Sequence, residues 1–186
     1  MAVSSRKIAI SGSAGVGKTT LGTDLAARLG VPFIPEGMRA RLEAGLDLHG
    51  LDADGLRALV VDLFDEMMAA VAGARSGGFI ADRSPIDFLA FWLYYGFAAD
   101  SAATEAFAER CDAAMAEIDA VVVLPWGAIP LADDRVRSTN PWRQLHYQAV
   151  LEGLARRRVA SEKLLFVPDD VIGLEARLDW VGARTS

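Results

Sequence analysis

Gly12-Ser13-Ala14-Gly15-Val16-Gly17-Lys18-Thr19 is the stretch on which the reading of this chain turns. It fits G-x-x-x-x-G-K-[ST] at every fixed position. Before it, Lys7-Ile8-Ala9-Ile10-Ser11 reads as a short buried strand. After it, Thr20 to Leu29 reads as a helix, with Leu21, Leu25 and Leu29 four apart on one face. Strand, glycine-rich loop and helix in that order make an anion nest. The glycines allow a tight turn that points successive N–H groups inward. The helix behind adds the positive end of its dipole. The expected phosphate contacts run through Gly12, Ser13, Ala14, Gly15, Val16, Gly17, Lys18, Thr19 and Thr20. Lys18 is placed to reach the β- and γ-phosphates of a nucleotide such as ATP, and Thr19 to offer its hydroxyl to Mg²⁺.

The remainder of the chain repeats the alternation of strand and helix. Gly30 and Pro32 close the first helix, and Val31 to Pro35 reads as a second strand ending at Glu36. A short helix carries Arg39, Arg41 and Glu43, and Gly45 to Gly50 is a loop. Asp52 caps a long helix, Ala53 to Ala74, with Leu56, Leu59, Val60, Leu63, Phe64 and Met67 at helical spacing. Phe79 to Asp82 is a strand that ends in an acid. Ser84 and Pro85 then start an apolar helix expected to reach about Phe97. A helix over about Ala102 to Glu117 leads to a buried strand, Ala120 to Leu124. Pro125 to Thr139 is irregular, Asn140-Pro141 starts a helix to about Arg158, and Leu164 to Val167 is the last strand. Asp169 or Asp170 is expected to cap a terminal helix running to about Gly182. Five short apolar strands alternating with helices predict an α/β protein with a parallel sheet covered on both faces. Ligands in such sheets bind beyond the carboxyl ends of the strands.

Composition bounds the rest. The chain has 186 residues, a hydrophobic fraction of 52% and a net charge of −6, with a mean hydropathy of +0.24. One domain spanning 1–186 is expected. No uncharged apolar run reaches the ~18 residues a membrane span needs, and the apolar run after Lys7 stops at the Gly-rich loop without forming a signal peptide's h-region, so a cytoplasmic protein is expected. A single cysteine, Cys111, permits no intrachain disulfide, and His49 and His146 are too far apart to suggest a zinc motif. The negative charge argues against nucleic acid as the main partner. Positive charge gathers instead between Arg135 and Arg158.

Candidate chemistry lies at the strand ends. Asp82 closes an apolar strand and is the expected direct or indirect Mg²⁺ ligand beside Thr19. Arg83 is suited to hold a phosphate or a substrate oxygen bidentately. Glu36 is placed to take the proton of a hydroxyl acceptor, a role that contributes ~10²–10⁴-fold in rate. Arg135 and Arg137 follow the fourth strand, where they can meet the charge spread over a transferring phosphoryl group. Phe88, Phe91, Trp92 and Tyr95 form an aromatic stripe. It reads as core or a subunit interface, with Trp92 a candidate to cover a substrate ring. The helix from Phe88 to Phe97 is apolar on most sides, which raises the expectation of a homodimer. Arg156-Arg157-Arg158 suits a helix C-terminus, and Cys111 reads as inert packing.

These motifs together resemble the P-loop small-molecule kinases. The groups most similar are deoxynucleoside kinases and the nicotinamide riboside kinase domain of bifunctional NAD-biosynthesis regulators, with their AAA-type ATP-binding relatives. The resemblance rests on Gly12 to Thr19, on Pro35-Glu36 with Arg39, on Asp82-Arg83-Ser84 with Asp87, and on Asp134-Arg135-Val136-Arg137 after Leu124-Pro125-Trp126. It implies a three-layer fold with strand order 2-3-1-4-5. It further implies Glu36 as the base, Arg39 and Arg83 on the substrate side, and Arg135 with Arg137 in a lid around 126–143. Lys18, Arg135 and Arg137 would then share the catalytic work with Glu36. Asp82 stands where deoxynucleoside kinases often carry Glu. The implied activity is ATP- and Mg²⁺-dependent phosphorylation of a nucleoside-like hydroxyl. The alternatives are a kinase of another metabolite, antibiotic or nucleotide, or a regulatory ATP-binding protein. A GTPase switch is disfavoured, because Asp82 is followed by Arg-Ser-Pro and there is no Asn-Lys-x-Asp guanine reader.

Overall fold

The computed structural model describes residues 6–130 and 140–185. Strands β1 (Lys7–Ser11), β2 (Phe33–Ile34), β3 (Phe79–Asp82), β4 (Ala120–Val123) and β5 (Leu164–Phe166) form one sheet in the order β2-β3-β1-β4-β5. Every pairing is parallel, with Ile10 opposite Asp82 on one side and Val122 on the other. The helices are α1 (Lys18–Leu29), α2 (Gly37–Glu43), α3 (Ala53–Ala74), α4 (Pro85–Tyr94), α5 (Ser101–Ala114), α6 (Pro141–Arg158) and α7 (Leu174–Thr185).

Alternation along the strands divides the core into two layers. Ile8, Ile10, Ile80, Val122 and Leu124 face α1 and α7, packing with Leu21, Leu25, Leu178 and Val181. Ala9, Phe79, Ala81, Val121 and Val123 face the other way, against α3, α4, α5 and α6. Side chains leave a strand on opposite sides with period 2, so both faces of a central strand must be apolar when both are covered. This is the P-loop NTPase three-layer α/β/α fold.

Two glycines fix the geometry at the head of the sheet. Gly12 has φ +145, and a Cβ there would lie 2.9 Å from Val16 Cγ2 and 3.2 Å from the Leu124 carbonyl. Gly22 lets α1 approach β2, because a Cβ would come within 2.5 Å of the Phe33 ring.

Caps settle most helix limits. Asp52 accepts from Gly55 N at 2.8 Å, and Asn140 accepts from Trp142 N at 3.0 Å. Some limits differ from the sequence expectation. Helix α4 stops at Tyr94 rather than near Phe97, because Gly96 turns into the left-handed region at φ 86. Helix α7 begins at Leu174, not after Asp169 or Asp170. Those acids sit in a turn closed by Val171 N to Pro168 O and Ile172 N to Asp170 O. Strand β2 is only two residues long, since Pro32 and Pro35 flank it and lack N–H donors.

The all-round apolar character of α4 has an intramolecular cause. Helices α3, α5 and α6 all pack on it, so its faces are used within the chain and supply no argument for a dimer. No helix among the described residues is long and apolar enough to cross a membrane.

Candidate active site

The site forms at the carboxyl ends of β1, β2 and β3, where three expected strand-end residues converge. Lys18 is buried, and its Nζ donates to the Ser13 carbonyl at 2.8 Å. Its pKa is lowered to about 8, first by burial and then by the Arg83 charge, against the pull of Asp82, Glu36 and Asp87. The lysine is therefore held in a loop built for an anion, under-compensated by the protein itself. Gln148 of α6 steadies the same loop. Its Oε1 accepts from Ser13 N at 2.8 Å while its Nε2 donates to Leu124 O at 3.0 Å.

Thr19 donates to Asp82 Oδ2 at 2.5 Å. The other carboxylate oxygen, Asp82 Oδ1, is buried without a hydrogen-bond partner among the described residues. A hydroxyl and a carboxylate with an unsatisfied oxygen are hard donors suited to Mg²⁺, which takes one or two protein oxygens alongside phosphates and water. No group of three or more His, Cys, Asp or Glu among the described residues forms a metal cage. The expected pair of metal residues, Thr19 and Asp82, therefore fits Mg²⁺ and not a dedicated all-protein site. Beside it a recess of about 180 Å³ is bounded by Thr19, Asp82, Glu36, Arg39 and Glu43.

Arg83 is the hub of the other half. It is the one non-glycine residue among those described with positive φ, at 95, a conformation that costs of order 1–3 kcal/mol. The surroundings hold it there. Arg83 Nε meets Glu36 Oε1 at 2.6 Å. Its Nη1 donates to Asp87 Oδ1 at 3.0 Å, Tyr147 Oη at 3.1 Å and Gly12 O at 3.2 Å. Its guanidinium lies 4.6 Å from the Phe91 ring centroid. Burial alone would lower the guanidinium pKa, but the charges of Glu36 and Asp87 carry it well above its ordinary value.

Asp87 is wholly buried and is fully engaged. Its Oδ2 receives Ser84 N at 2.9 Å, with the Ser84 and Ser11 hydroxyls at 2.8 and 2.5 Å. Tyr147 Oη lies 3.1 Å from Oδ1, and burial with the Asp87 charge raises the phenol pKa well above 10. The tyrosine is a neutral donor linking α6 to the arginine.

Next to this hub opens a cavity of about 560 Å³. Glu36, Arg83 and Tyr147 form its floor, Phe91, Tyr94 and Tyr95 one wall, and leucines of the α2–α3 region, among them Leu46 and Leu48, the other. Glu36 and Arg39 line both this cavity and the smaller recess. The volume and mixed lining suit a small organic molecule.

The expected residues divide accordingly. Lys18, Thr19, Glu36, Arg39, Asp82 and Arg83 come together. Arg135 and Arg137 lie outside the described residues, as does half of the segment assigned to a lid, residues 131–139. Trp92 does not join the site. It is 3% exposed, its ring lies 4.8 Å from that of Phe107, and its Nε1 donates to Thr104. The stripe splits because α5 covers the Trp92 side of α4, leaving Phe91 and Tyr95 for the cavity. Tyr147 and Gln148 had no assignable role in the sequence, since their partners lie far away along the chain. Cys111 is buried and its thiol is pushed up to about 12, chiefly by burial. Its expected inert role fits that setting. The basic run at the end of α6 also packs structurally: Arg158 pairs with Asp112 at 2.6 Å, and Arg156 lies over the Phe166 ring.

The phosphate loop on a 2-3-1-4-5 sheet, with an acid closing β3, defines a P-loop nucleotide-binding protein. Residues 7–168 match the AAA domain family, and the chain belongs to that family. No curated protein matches the sequence. Among solved structures, a NadR protein in complex with NR superposes with TM-score 0.68 at 22% identity, over 97% of this chain and 52% of that one. A NadR protein in complex with NAD and AMP-PNP gives 0.66 at 21%, over 97% and 49%. The chain thus spans about half the length of these NadR chains. Deoxyadenosine kinase from M. mycoides, with products dCMP and dCDP bound, gives 0.66 at 14% identity, over 96% of this chain and 97% of that one. At these identities the likeness speaks to the fold.

Proposed function

We propose that this single domain, residues 1–186, is an ATP- and Mg²⁺-dependent kinase. It transfers the γ-phosphoryl group to a hydroxyl of a nucleoside-like small molecule. The observation that carries this reading is the position of Glu36. It sits on the border between the recess beside Thr19 and the larger cavity, 2.6 Å from Arg83. A carboxylate at that border suits an acceptor that must lose a proton. The Arg83 charge is committed to Glu36 and Asp87, so it serves to hold the carboxylate, while Arg39 and Arg143 also line the cavity. The fold shared with NadR and deoxyadenosine kinase supports the same class.

In the proposed reaction the acceptor O–H bond breaks and its proton passes to a Glu36 carboxylate oxygen. The acceptor oxygen bonds to the γ-phosphorus as the bond from γ-phosphorus to the β–γ bridging oxygen breaks, and ADP leaves with that electron pair. Arg83 holds Glu36 in place through their 2.6 Å ion pair. Lys18 and the loop N–H groups bind the β- and γ-phosphates. Thr19 and Asp82 would hold Mg²⁺, which when bound neutralises phosphate charge. Arg135 and Arg137 are assigned to the transferring phosphoryl group on their place after β4 in the sequence.

The test is acceptor-dependent ADP release with Mg·ATP, across nucleosides, nicotinamide riboside, nucleoside monophosphates and aminoglycoside-type alcohols. Turnover with a nucleoside-like alcohol is expected. Turnover confined to monophosphates would reassign the acceptor, and ADP release insensitive to every acceptor would favour a regulatory ATP-binding protein.

A further inference from the structure

Arg177, in the first half of α7, is outside every motif used so far. It is 3% exposed. Its Nη1 donates to the Val16 carbonyl at 2.8 Å and its Nε to the Val171 carbonyl at 3.2 Å. Its Nη2 is buried with no hydrogen-bond partner, and no carboxylate pairs with it among the described residues. Burial lowers its pKa from the ordinary guanidinium value. Arg83, by contrast, has two carboxylates. A buried cation without a counter-charge is costly to the protein that carries it.

We propose that Arg177 is a positioning residue for the donor phosphates. It aims one N–H of the phosphate loop and places an uncompensated positive charge behind it. This rests on the reading of the loop as a nucleotide site.

The geometry gives two reasons. In a trans peptide the carbonyl and the following N–H point in opposite directions. Arg177 draws the Val16 carbonyl to its own side, so the Gly17 N–H is turned to the opposite side of the same peptide plane. Gly17 sits directly against the guanidinium, since a Cβ there would lie 3.3 Å from Nη1. Gly17, at φ +92, lacks a Cβ and so tolerates other orientations of this peptide unless something holds it. The second reason is electrostatic. A charge buried beside the loop is screened far less than a surface charge, so its field at a bound anion persists. The bond to Val171 fastens the β5–α7 connection to the loop through the same side chain.

Arg177→Met keeps an apolar stem and removes both the charge and the fork. Binding of inorganic tripolyphosphate and of Mg·ADP is measured by calorimetry on the parent, Arg177→Met and Arg177→Lys, with apo melting temperatures alongside. The methionine variant should bind both ligands about 10-fold more weakly, the size of one lost charge-assisted interaction. The lysine variant, which restores the charge without the fork, should recover part of that loss. The KM for the acceptor should stay at the parental value. Parental affinity for tripolyphosphate in the methionine variant, with or without a lower melting temperature, overturns the proposal. If that variant does not fold, parental affinity in the lysine variant overturns it equally. A parent chain that binds neither ligand removes the nucleotide-site reading itself.

Discussion

Replacing Lys18 with methionine should abolish nucleotide binding and yet stabilise the ligand-free protein. The lysine is buried, its pKa lies at about 8 against an ordinary 10.5, and burial is the main cause. At about 1.36 kcal/mol per pH unit that gap costs the folded chain about 3 kcal/mol. Methionine fills similar space without charge. The Ser13 carbonyl loses its donor at 2.8 Å, which takes back about 1 kcal/mol. A net gain of about 2 kcal/mol corresponds to about 4–8 °C in melting temperature for a domain of this size. The sign with pH follows from proton binding. Between pH 8 and 10.5 the unfolded chain holds the lysine proton more tightly, so the parent gains stability as pH rises. Below pH 8 the full penalty is present in the parent. The difference between variant and parent should therefore be largest at pH 7 and shrink toward pH 10. Circular-dichroism melts of both proteins from pH 7 to 10, with and without Mg·ADP, measure it. A variant that melts below the parent at pH 7, or a difference indifferent to pH, would refute the account of Lys18 as an under-compensated cation.

The carboxylates should separate by role. Glu36→Gln should lower kcat by ~10²–10⁴ with Mg·ATP affinity near parental, whereas Asp82→Asn should raise the Mg²⁺ concentration needed for half-maximal turnover. Exchanged phenotypes in a Mg²⁺ and ATP titration would invert the assignment. Tyr147→Phe removes one hydroxyl from the Arg83–Asp87 pair. It should reduce kcat about 10-fold, a hydrogen bond to a charged group being worth about 1.5 kcal/mol, and Mg·ADP affinity measured by calorimetry should not change. Arg135→Ala or Arg137→Ala should lower kcat more than ATP affinity, because the charge they meet develops in the transition state. An affinity loss at unchanged kcat would speak against it. Cys111 should resist a thiol reagent such as DTNB at pH 8 in the folded protein and react fully in denaturant; rapid labelling of the native chain would contradict its burial.

Parts whose physics is local were legible in the residues alone. The phosphate loop is eight consecutive residues, and its nest follows from glycine freedom and the helix behind it. Asp52 and Asn140 start α3 and α6 because a cap acts within three residues. Period-2 and period-3.6 patterns separate strands from helices, and five short apolar runs joined by helices leave little choice but a parallel sheet. Glu36 and Asp82 were legible as strand-end acids for the same reason. Which side chains meet depends on packing between distant elements. Arg83 finds Glu36 across 47 positions and Tyr147 across 64, and nothing in the local sequence around Tyr147 marks it. Phe91 and Trp92 are neighbours on one apolar helix, yet α5 buries one and the cavity exposes the other. The cap expected at Asp169 or Asp170 failed because a turn at Pro168 captured those residues before the helix began. Arg177 reaches the Val16 carbonyl across 161 positions. A buried guanidinium takes its meaning from the acceptors around it, and those are assembled only when α7 packs beside α1.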